Sequence, residues 1–289
     1  MTARDRIDPL IEERAPWLYA RRPGTRLIRG ALFKTLSYDR TIALAEEYQD
    51  WSSHDLMIDL FGMLGRQLQV QGLHHVPHSG PALVVANHPT GIADGIMLYG
   101  LLSRTRPDTY FFANKDILRA VPQMEDMIAP VEWRKEKRSH GKTRETMAYV
   151  RKAAEQGRMG VIFPSGRLAK RRWLQLHERP WMASAAMLAR KFDLPIVPIN
   201  IRSRNSVLFY LFDRIHPTLR DITLFHEMLN KARQPYAITV GEPISPAALP
   251  AKAEDGIAML RRATLALGDA DGRPTVNMVR ASRKPLPRT

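Results

Sequence analysis

The sequence predicts an α/β fold with a largely parallel central sheet flanked by helices and an N-terminal helical extension. Three features predict it: short apolar runs of strand length, helical stretches between these runs, and a helical pattern before about residue 70. Continuous apolar strands separated by helices are typical of a parallel sheet that is covered on both faces. With 289 residues and 44% hydrophobic content, the chain is long enough to bury such a core.

The N-terminal region, residues 1–70, is predicted to be helical, and one part of it is both basic and amphipathic. Its apolar side chains recur at helical spacing while its basic side chains fall elsewhere on the helix. The apolar positions are Leu27, Ile28, Ala31 and Leu32, and the basic positions are Arg26, Arg29 and Lys34. Such a segment either lies in a membrane interface, with its cations among lipid phosphates, or packs on the catalytic core. Both possibilities stay open at this point.

The catalytic core is predicted over residues 71–245, followed by a C-terminal helix and basic tail over 246–289. The candidate strands are ALVVAN (82–87), TYFFAN (109–114), MGVIFP (159–164), PIVPINI (195–201) and YAITVG (236–241). The candidate helices between and after them are IADGIMLYGLLSR (92–104), KTRETMAYVRKAAEQG (142–157), PWMASAAMLARKFD (180–193) and EDGIAMLRRATLAL (254–267).

Charge is the strongest compositional signal. The chain has 44 Lys and Arg against 29 Asp and Glu, which gives a net charge of +15 and a pI near 10.4. Such an excess favours nucleic acid, an anionic membrane face or an acidic protein as partner, and charge alone does not choose among them. The basic residues cluster in 21–34, 133–144, 166–173 and the tail 280–289.

The sequence also indicates the cellular compartment and excludes two kinds of cysteine-based site. There is no cysteine, so a disulfide framework and a thiolate metal site are both excluded. The charged start MTARDRIDPLIEER does not resemble a signal peptide, and no apolar run approaches the roughly 20 residues that span a bilayer. We therefore expect a cytoplasmic protein.

The loop after the first predicted core strand, in VVANHPTGIADG, carries the main candidate catalytic pair. Pro89 has no N–H to donate and Gly91 permits an unusual turn, so His88 is expected on a constrained bend. Asp94 then falls in the first turn of the next helix. Its carboxylate can hold one tautomer of His88 and stabilise the cation that forms when His88 takes a proton. On these residues alone, an ordinary loop histidine and a helix N-terminal acid are the alternative.

Two further strand ends carry cations. In VIFPSGRLAKRRW, Ser165 and Gly166 turn the chain and Arg167 follows, which suits the recognition of a phosphate or carboxylate. In TYFFANKDILRAVP, Lys115 follows the strand and its ammonium can neutralise a head group. An exposed basic turn and a surface lysine are the respective alternatives.

These blocks, in this order, resemble the glycerolipid and lysophospholipid acyltransferase family, typified by bacterial 1-acyl-glycerol-3-phosphate acyltransferase. The family's first block, an Asn-His with a spaced Asp, matches Asn87, His88 and Asp94. The later blocks are similar to ANKDILRAVP, FPSGR, LPIVPINI and ITVGEPI, and the resemblance runs from about Gly72 to Ser245.

The sequence departs from the family pattern in two places. Five residues separate His88 from Asp94 where the family usually has four, which rotates Asp94 by about 100° on a helix. The bend at Gly91 must therefore restore the contact. The His-Pro-x-Gly-x-x-Asp-Gly form is similar to a branch with ornithine-lipid and haemolysin-like acyltransferases. In addition, Ser165 stands where a Glu is common and Arg167 lies one place early, so the acceptor is left open.

The resemblance implies an enzyme that moves a fatty acyl chain from acyl carrier protein or coenzyme A to a lysolipid hydroxyl, of lysophosphatidic acid or lyso-ornithine lipid type. His88 would be the general base and Asp94 its partner, with no acyl-enzyme, cofactor or metal. The histidines of HHVPH (74–78) are then a connector and not a metal site. The expected substrate-binding residues are Asn87, Gly91, Lys115, Phe163, Pro164, Ser165, Gly166 and Arg167.

The expected partners follow from the same resemblance and from the charge. They are an anionic membrane surface on the inner face of the cell membrane, an acyl carrier protein or coenzyme A thioester, and a lysolipid. The oligomeric state is left open.

Two rival functions fit parts of the sequence. Nucleic-acid binding fits the pI, but the sequence has no helix-turn-helix, zinc-finger or RNA-binding aromatic motif, so nucleic acid is not expected. A serine hydrolase that uses Ser165 and His88 would need the Gly-x-Ser-x-Gly elbow, which FPSGR lacks.

Overall fold

The structure is a computed structural model that describes residues 2–132, 140–268 and 275–277. A seven-stranded sheet has the order β1-β9-β8-β2-β5-β3-β4, and a three-stranded antiparallel sheet has the order β10-β7-β6. The strands are β1 Leu68–Gln71, β2 Ala82–Ala86, β3 Tyr110–Asn114, β4 Ile128–Val131, β5 Met159–Ile162, β6 Lys170–Arg172, β7 Gln175–His177, β8 Ile196–Arg202, β9 Tyr236–Val240 and β10 Thr275–Asn277.

The direction of each strand decides which strand ends lie at the same edge of the sheet. Strands β8, β2, β5, β3 and β4 run parallel, so their carboxyl ends share one edge of the sheet. Strand β9 runs antiparallel to β8, and β1 pairs in parallel with β9. The beginning of β9 therefore lies at the edge where β2 and β5 end.

Helices cover both faces of the sheet, as the fold-class prediction requires. They are α1 Ala3–Arg14, α2 Thr25–Thr35, α3 Tyr38–Glu47, α4 Ser53–Leu64, α5 Ile92–Leu102, α6 Asp116–Ala120, α7 His140–Glu155, α8 Ser184–Lys191, α9 Val207–Ile215, α10 Pro217–Ile222, α11 Leu224–Asn230 and α12 Ala253–Ala266. The predicted mostly parallel sheet with flanking and N-terminal helices is confirmed. The short strands β1, β4, β6, β7 and β10 were not predicted.

Strand β2 is the centre of the core, and all of its residues are buried. Val84 belongs to a hydrophobic cluster that includes α4 and α5, whereas Leu83 and Val85 belong to a second cluster that includes α8 and α12. Side chains alternate across a strand, so a run that is apolar at every position has a helix on each face. Each fully buried Val or Leu contributes about 1.5–3 kcal/mol relative to exposure.

The N-terminal helices differ in how much of their apolar surface is packed. Helix α4 packs on α5, and α1 packs against α3 and α6 through a cluster with Ile7, Ile42 and Ala120. Helix α2 has no buried residue, and its Leu27 and Ile28 are 79% and 53% exposed. Helix α2 thus contacts that cluster through the half-buried Phe33 and leaves the apolar side chains of its first turns exposed. The predicted domain boundaries stay a prediction.

Two other sequence expectations concern basic segments and bilayers. The predicted basic clusters at 133–144 and 280–289 lie partly and wholly outside the described residues. Among the helices that the structure describes, none combines the length and the apolar character needed to cross a bilayer.

Candidate active site

The loop between β2 and α5 brings His88 and Asp94 into direct contact. His88 Nδ1 lies 2.9 Å from Asp94 Oδ2. The Asp94 side chain is fully buried, and the His88 side chain is 19% exposed. The carboxylate accepts from Nδ1–H, which leaves Nε2 as the imidazole nitrogen that can take a proton.

Asp94 keeps its charge in a buried position because donors surround it. Its Oδ2 also accepts from the backbone N–H groups of Thr90, at 2.9 Å, and Gly91, at 3.0 Å. Its Oδ1 accepts from the Thr90 hydroxyl at 2.5 Å and from the Tyr236 hydroxyl. Burial acts to raise the pKa of Asp94, but the hydrogen bonds from His88, Thr90 and Tyr236 outweigh it and hold that pKa below its usual value.

Gly91 supplies the bend that the five-residue interval requires. It is the N-cap of α5, with φ +94° and ψ −133°, a conformation essentially restricted to glycine. This backbone aims the Gly91 N–H at Asp94 Oδ2 while Asp94 sits in the first helical turn. The predicted restoring role of Gly91 is thus seen in the backbone itself. Its substrate-binding role stays a prediction.

Tyr236 and Thr90 are parts of the site that sequence reasoning missed. Burial raises the pKa of Tyr236 well above its usual value and the Asp94 charge raises it further, so the phenol stays protonated and donates. Tyr236 is the first residue of β9 and reaches Asp94 because β9 runs antiparallel to β8. No local pattern signals this contact, since 142 residues separate the two side chains.

The FPSGR turn after β5 packs directly on the His88 loop. The Phe163 ring stacks on the His88 imidazole with centroids 4.1 Å apart, and the Ala169 N–H donates to His88 O at 2.9 Å. Gly166 has φ +59°, and its N–H closes the turn on Phe163 O at 2.9 Å. Pro164 is buried within this turn. Phe163 therefore orients the imidazole, and direct contacts of Phe163, Pro164 and Gly166 with substrate stay predictions.

The Ser165 side chain forms a hydrogen bond within the FPSGR turn. Its hydroxyl donates to Arg167 O at 2.8 Å. In the described residues, no hydrogen bond joins Ser165 to His88. The contact that a Ser-His hydrolase needs is therefore not formed.

Glu178 is a second residue that the sequence did not reveal. Its Oε2 accepts from the His88 backbone N–H at 3.3 Å, and its Oε1 accepts from Trp181 Nε1 at 2.9 Å. Burial raises the pKa of Glu178, against the opposing effect of these hydrogen bonds. Glu178 thus binds the backbone N–H of His88, while Ala169 binds its backbone carbonyl.

The two predicted cations have different surroundings. Arg167 is exposed on the FPSGR turn. The pKa of Arg179 is lowered, mainly by burial and in addition by the charges of Arg167 and Arg220. Arg179 also donates from Nε to Leu168 O at 2.9 Å, so Arg167 and Arg179 lie on the same loop surface. Lys115 instead pairs with Glu145 at 3.2 Å, two strands away from β2 in the sheet order. Arg179 is therefore a further cation near Arg167, and the predicted substrate contact of Lys115 stays a prediction.

Asn87 anchors the loop to the neighbouring strand. Its Nδ2 donates to Ile201 O at 2.8 Å and its Oδ1 accepts from Ile201 N at 2.7 Å. The side chain is only 1% exposed. The structure gives Asn87 a positioning role at the end of β2, and its expected contact with substrate stays a prediction.

The HHVPH histidines lie elsewhere in the described structure. His75 Nδ1 bonds Val240 O at 3.1 Å. Among the described residues, no group of three His, Asp or Glu side chains is placed to hold a metal ion.

Comparison with known proteins agrees with this geometry. The family model described as Acyltransferase matches residues 67–202, which contain His88, Asp94 and the FPSGR turn. This match, together with the relatives described below, supports the glycerolipid acyltransferase family for this chain. The resemblance stated from the sequence is thus confirmed, and the protein is an acyltransferase.

Two curated relatives carry the name lyso-glycine lipid O-acyltransferase. The protein of Bacteroides thetaiotaomicron is 20% identical over 244 residues, covering 82% of this chain and 87% of the relative. The protein of Phocaeicola vulgatus is 22% identical over 187 residues, covering 63% and 65%. The crystal structure of the 1-acyl-sn-glycerophosphate acyltransferase PlsC from Thermotoga maritima aligns with a TM-score of 0.50 at 12% identity, covering 86% of this acyltransferase and 98% of PlsC. This last likeness shows the fold.

Proposed function

We propose that this acyltransferase moves a fatty acyl chain from an acyl carrier protein or coenzyme A thioester to a lysolipid hydroxyl at a membrane surface, with His88 as general base. One observation carries the proposal. The buried, ionised Asp94 holds His88 by Nδ1, and Nε2 is left on a partly exposed ring. This is the arrangement that a base acting on a substrate hydroxyl requires.

In the proposed reaction, Nε2 of His88 takes the proton of the acceptor hydroxyl as the oxygen attacks the thioester carbonyl. The tetrahedral intermediate then collapses, the carbon–sulfur bond breaks, and the proton on His88 passes to the departing thiolate. The products are a new ester and a free thiol. Asp94 stabilises the imidazolium between the two proton transfers, and the Phe163 ring fixes the plane of the imidazole.

The acceptor is proposed to carry an anionic head group, phosphate or carboxylate. Arg167 and Arg179 lie on the loop surface that bonds the His88 backbone through Ala169, and guanidinium groups bind such oxygens with paired hydrogen bonds. The names of the two curated relatives place a lyso-glycine lipid first among the acceptors to be tested. Lysophosphatidic acid and lyso-ornithine lipid are the other members of the panel.

Attachment to the inner face of the cell membrane is proposed to be peripheral. The net charge of +15 favours anionic lipid, and each basic residue near such a surface contributes about 1 kcal/mol. The same positive field favours an acidic acyl carrier protein as donor.

The central test replaces His88 by Ala in the purified protein. Wild type and variant are each incubated with the lysolipid panel and one labelled donor, either acylated acyl carrier protein or acyl coenzyme A. The products are identified by mass. Because the base is lost, we expect a fall in kcat of at least about 100-fold with an unchanged circular dichroism spectrum. The exposed His78 serves as the matched control, and His78→Ala should keep full activity.

Two outcomes contradict the proposed mechanism. One is a His88→Ala variant that keeps wild-type kcat. The other is a Ser165→Ala variant that loses all activity, because that result would favour a serine nucleophile.

A further inference from the structure

The hairpin formed by β6 and β7 ends in an apolar turn. Only Trp173 and Leu174 connect the two strands, since Arg172 is paired with Gln175. Trp173 is 92% exposed and Leu174 is 61% exposed. Trp173 also has a positive φ of 54°.

Two features of this turn are energetically unfavourable: its backbone conformation and its exposed apolar side chains. Two-residue hairpin turns with a positive φ favour Gly, Asn or Asp, and a bulky aromatic residue in this region is strained. In addition, the turn exposes two large apolar side chains side by side. Strain together with exposed apolar surface indicates a surface that a partner covers.

Helix α9 presents a second apolar surface in the same substructure. Its Phe209 and Tyr210 form a buried cluster with Leu176 of β7, so the helix and the hairpin are packed together. The opposite side of α9 is exposed and apolar at intervals of four residues. This stripe consists of Val207, Leu211 and Ile215, which are 76%, 51% and 61% exposed.

The charges beside these apolar residues point to one kind of partner. Lys170 and Arg172 are exposed at the hairpin, and Arg214 is exposed next to Ile215 on α9. Residues 170–177 contain no Asp or Glu. A tryptophan with apolar neighbours and flanking cations suits the interface of an anionic bilayer, where the ring lies at head-group level and the cations meet phosphates.

We infer that the hairpin tip and the exposed stripe of α9 dock this protein on a bilayer that contains anionic lipid. The inference rests on the proposed function, in which the reaction takes place at a membrane. Both ends of the hairpin segment are fixed to the catalytic loop, because Ala169 N–H bonds His88 O at 2.9 Å and Glu178 Oε2 accepts from His88 N at 3.3 Å. Docking through this tip therefore holds His88 at a set distance from the lipid surface.

The test replaces Trp173 by Gly and Leu174 by Ser in one double variant. Gly accepts the positive φ, so the hairpin is expected to fold while its apolar tip is lost. Binding is measured by sedimentation with vesicles of phosphatidylcholine and phosphatidylglycerol. We expect binding to be about tenfold weaker. Met187, 59% exposed on α8, is the matched control, and Met187→Gln should bind as wild type does.

The outcomes separate this inference from the proposed function. Equal vesicle binding by the double variant and wild type would overturn the inference, as would a double variant that loses affinity only for acyl carrier protein. A wild-type protein that does not bind the vesicles would overturn both the inference and the proposed membrane attachment. Weakened vesicle binding by the double variant supports the inference even if the wild type transfers no acyl group to any lysolipid, in which case only the proposed reaction fails.

Discussion

Asp94 is the residue on which the proposed chemistry depends, and it is a charged side chain with no solvent exposure. A buried carboxylate costs several kcal/mol unless donors replace its hydration. Thr90 and Gly91 supply backbone N–H groups from the same loop, and Tyr236 supplies a hydroxyl from a distant strand. The pair with His88 is therefore pre-organised before any substrate arrives.

Tyr236→Phe tests the positioning role of the Tyr236 hydroxyl. The change removes one donor to Asp94 without altering the ring, so Asp94 is held less firmly beside His88. We expect kcat to fall about tenfold with an unchanged KM, because loss of a hydrogen bond to a charged group costs about 1.5–3 kcal/mol. Steady-state kinetics on the preferred lysolipid measure both constants.

The matched control for Tyr236→Phe is Tyr99→Phe. Tyr99 is equally buried, but its hydroxyl bonds His54 at 2.7 Å, outside the catalytic loop. An equal loss of kcat in both variants would show that the effect is general destabilisation. A Tyr236→Phe variant with normal kcat would remove Tyr236 from the positioning network.

At the level of elements, the start of α5 and the start of β9 meet behind His88, and the end of α11 lies close by. Lys231, directly after α11, is fully buried and bonds Asn205 Oδ1 at 2.5 Å and Glu227 Oε2 at 3.4 Å. The charge of Asp94 also favours the Lys231 cation. The pair of His88 and Asp94 is thus backed by a second layer of buried charges that ties three elements together.

Gly91→Ala tests the bend that joins β2 to α5. A Cβ at Gly91 would lie 3.2 Å from Leu168 Cδ2 and 3.3 Å from Leu224 Cδ2, in a backbone conformation with φ +94°. We expect the free energy of unfolding to fall by about 1–3 kcal/mol and acyl transfer to be largely lost, because Asp94 moves relative to His88. Urea denaturation and the transfer assay measure the two effects.

Gly30→Ala is the control for Gly91→Ala. Gly30 lies within α2, and an added Cβ there would meet no atom within 4 Å. Relief of a helical glycine should stabilise the protein by up to about 1 kcal/mol with unchanged activity. A Gly91→Ala variant that is as stable and active as wild type would contradict the proposed role of the bend.

Lys231 predicts a dependence of stability on alkaline pH. Burial lowers the pKa of Lys231 from 10.5 to about 8, against the opposing effect of Glu227. The folded protein therefore releases this proton at a lower pH than the unfolded chain does. The cost of burying the cation is fully present below about pH 8 and disappears as pH rises above 10.5, so the contribution of Lys231 to stability grows with pH.

The measurement compares wild type with Lys231→Met by urea denaturation at pH 8 and pH 10. We expect the difference in the free energy of unfolding to shift by about 2 kcal/mol in favour of wild type at the higher pH. Lys115→Met is the control, since the Lys115 side chain is 65% exposed. A wild-type advantage that stays constant from pH 8 to pH 10 would argue against a depressed Lys231 pKa.

Over the whole molecule, the positive charge and the exposed apolar residues act together. Leu27 and Ile28 of α2 add to the apolar surface of the hairpin and α9, and the chain carries a net charge of +15. In the proposed membrane attachment, electrostatic attraction brings the protein to an anionic bilayer, and apolar side chains then enter the interface. Neither contribution requires a spanning helix.

The electrostatic contribution to the proposed membrane attachment predicts that binding to vesicles depends on salt. Wild type should sediment with vesicles that contain phosphatidylglycerol and only weakly with phosphatidylcholine alone. Raising the ionic strength from about 0.01 M to about 1 M shortens the Debye length from about 30 Å to about 3 Å, so binding should weaken strongly. Equal sedimentation with both vesicle types at every salt concentration would contradict an electrostatic contribution.

Much of the fold and the centre of the site could be predicted because their signals are local. The all-apolar run of β2 predicted a strand covered on both faces, and the burial of β2 agrees. The interval between His88 and Asp94, with Gly91 between them, predicted a bend that restores their contact. In each case a few adjacent residues carry the whole signal, so no knowledge of strand order was needed.

The amino-acid sequence alone therefore determined the core strands, the family and the pairing of His88 with Asp94. Tertiary structure alone decided that Tyr236 completes the pair, that Glu178 holds the His88 backbone and that Arg179 lies near Arg167. Glu178 is 90 residues from His88, and Tyr236 is 142 residues from Asp94. Such contacts depend on the order and direction of strands, which the periodicity of short segments does not encode.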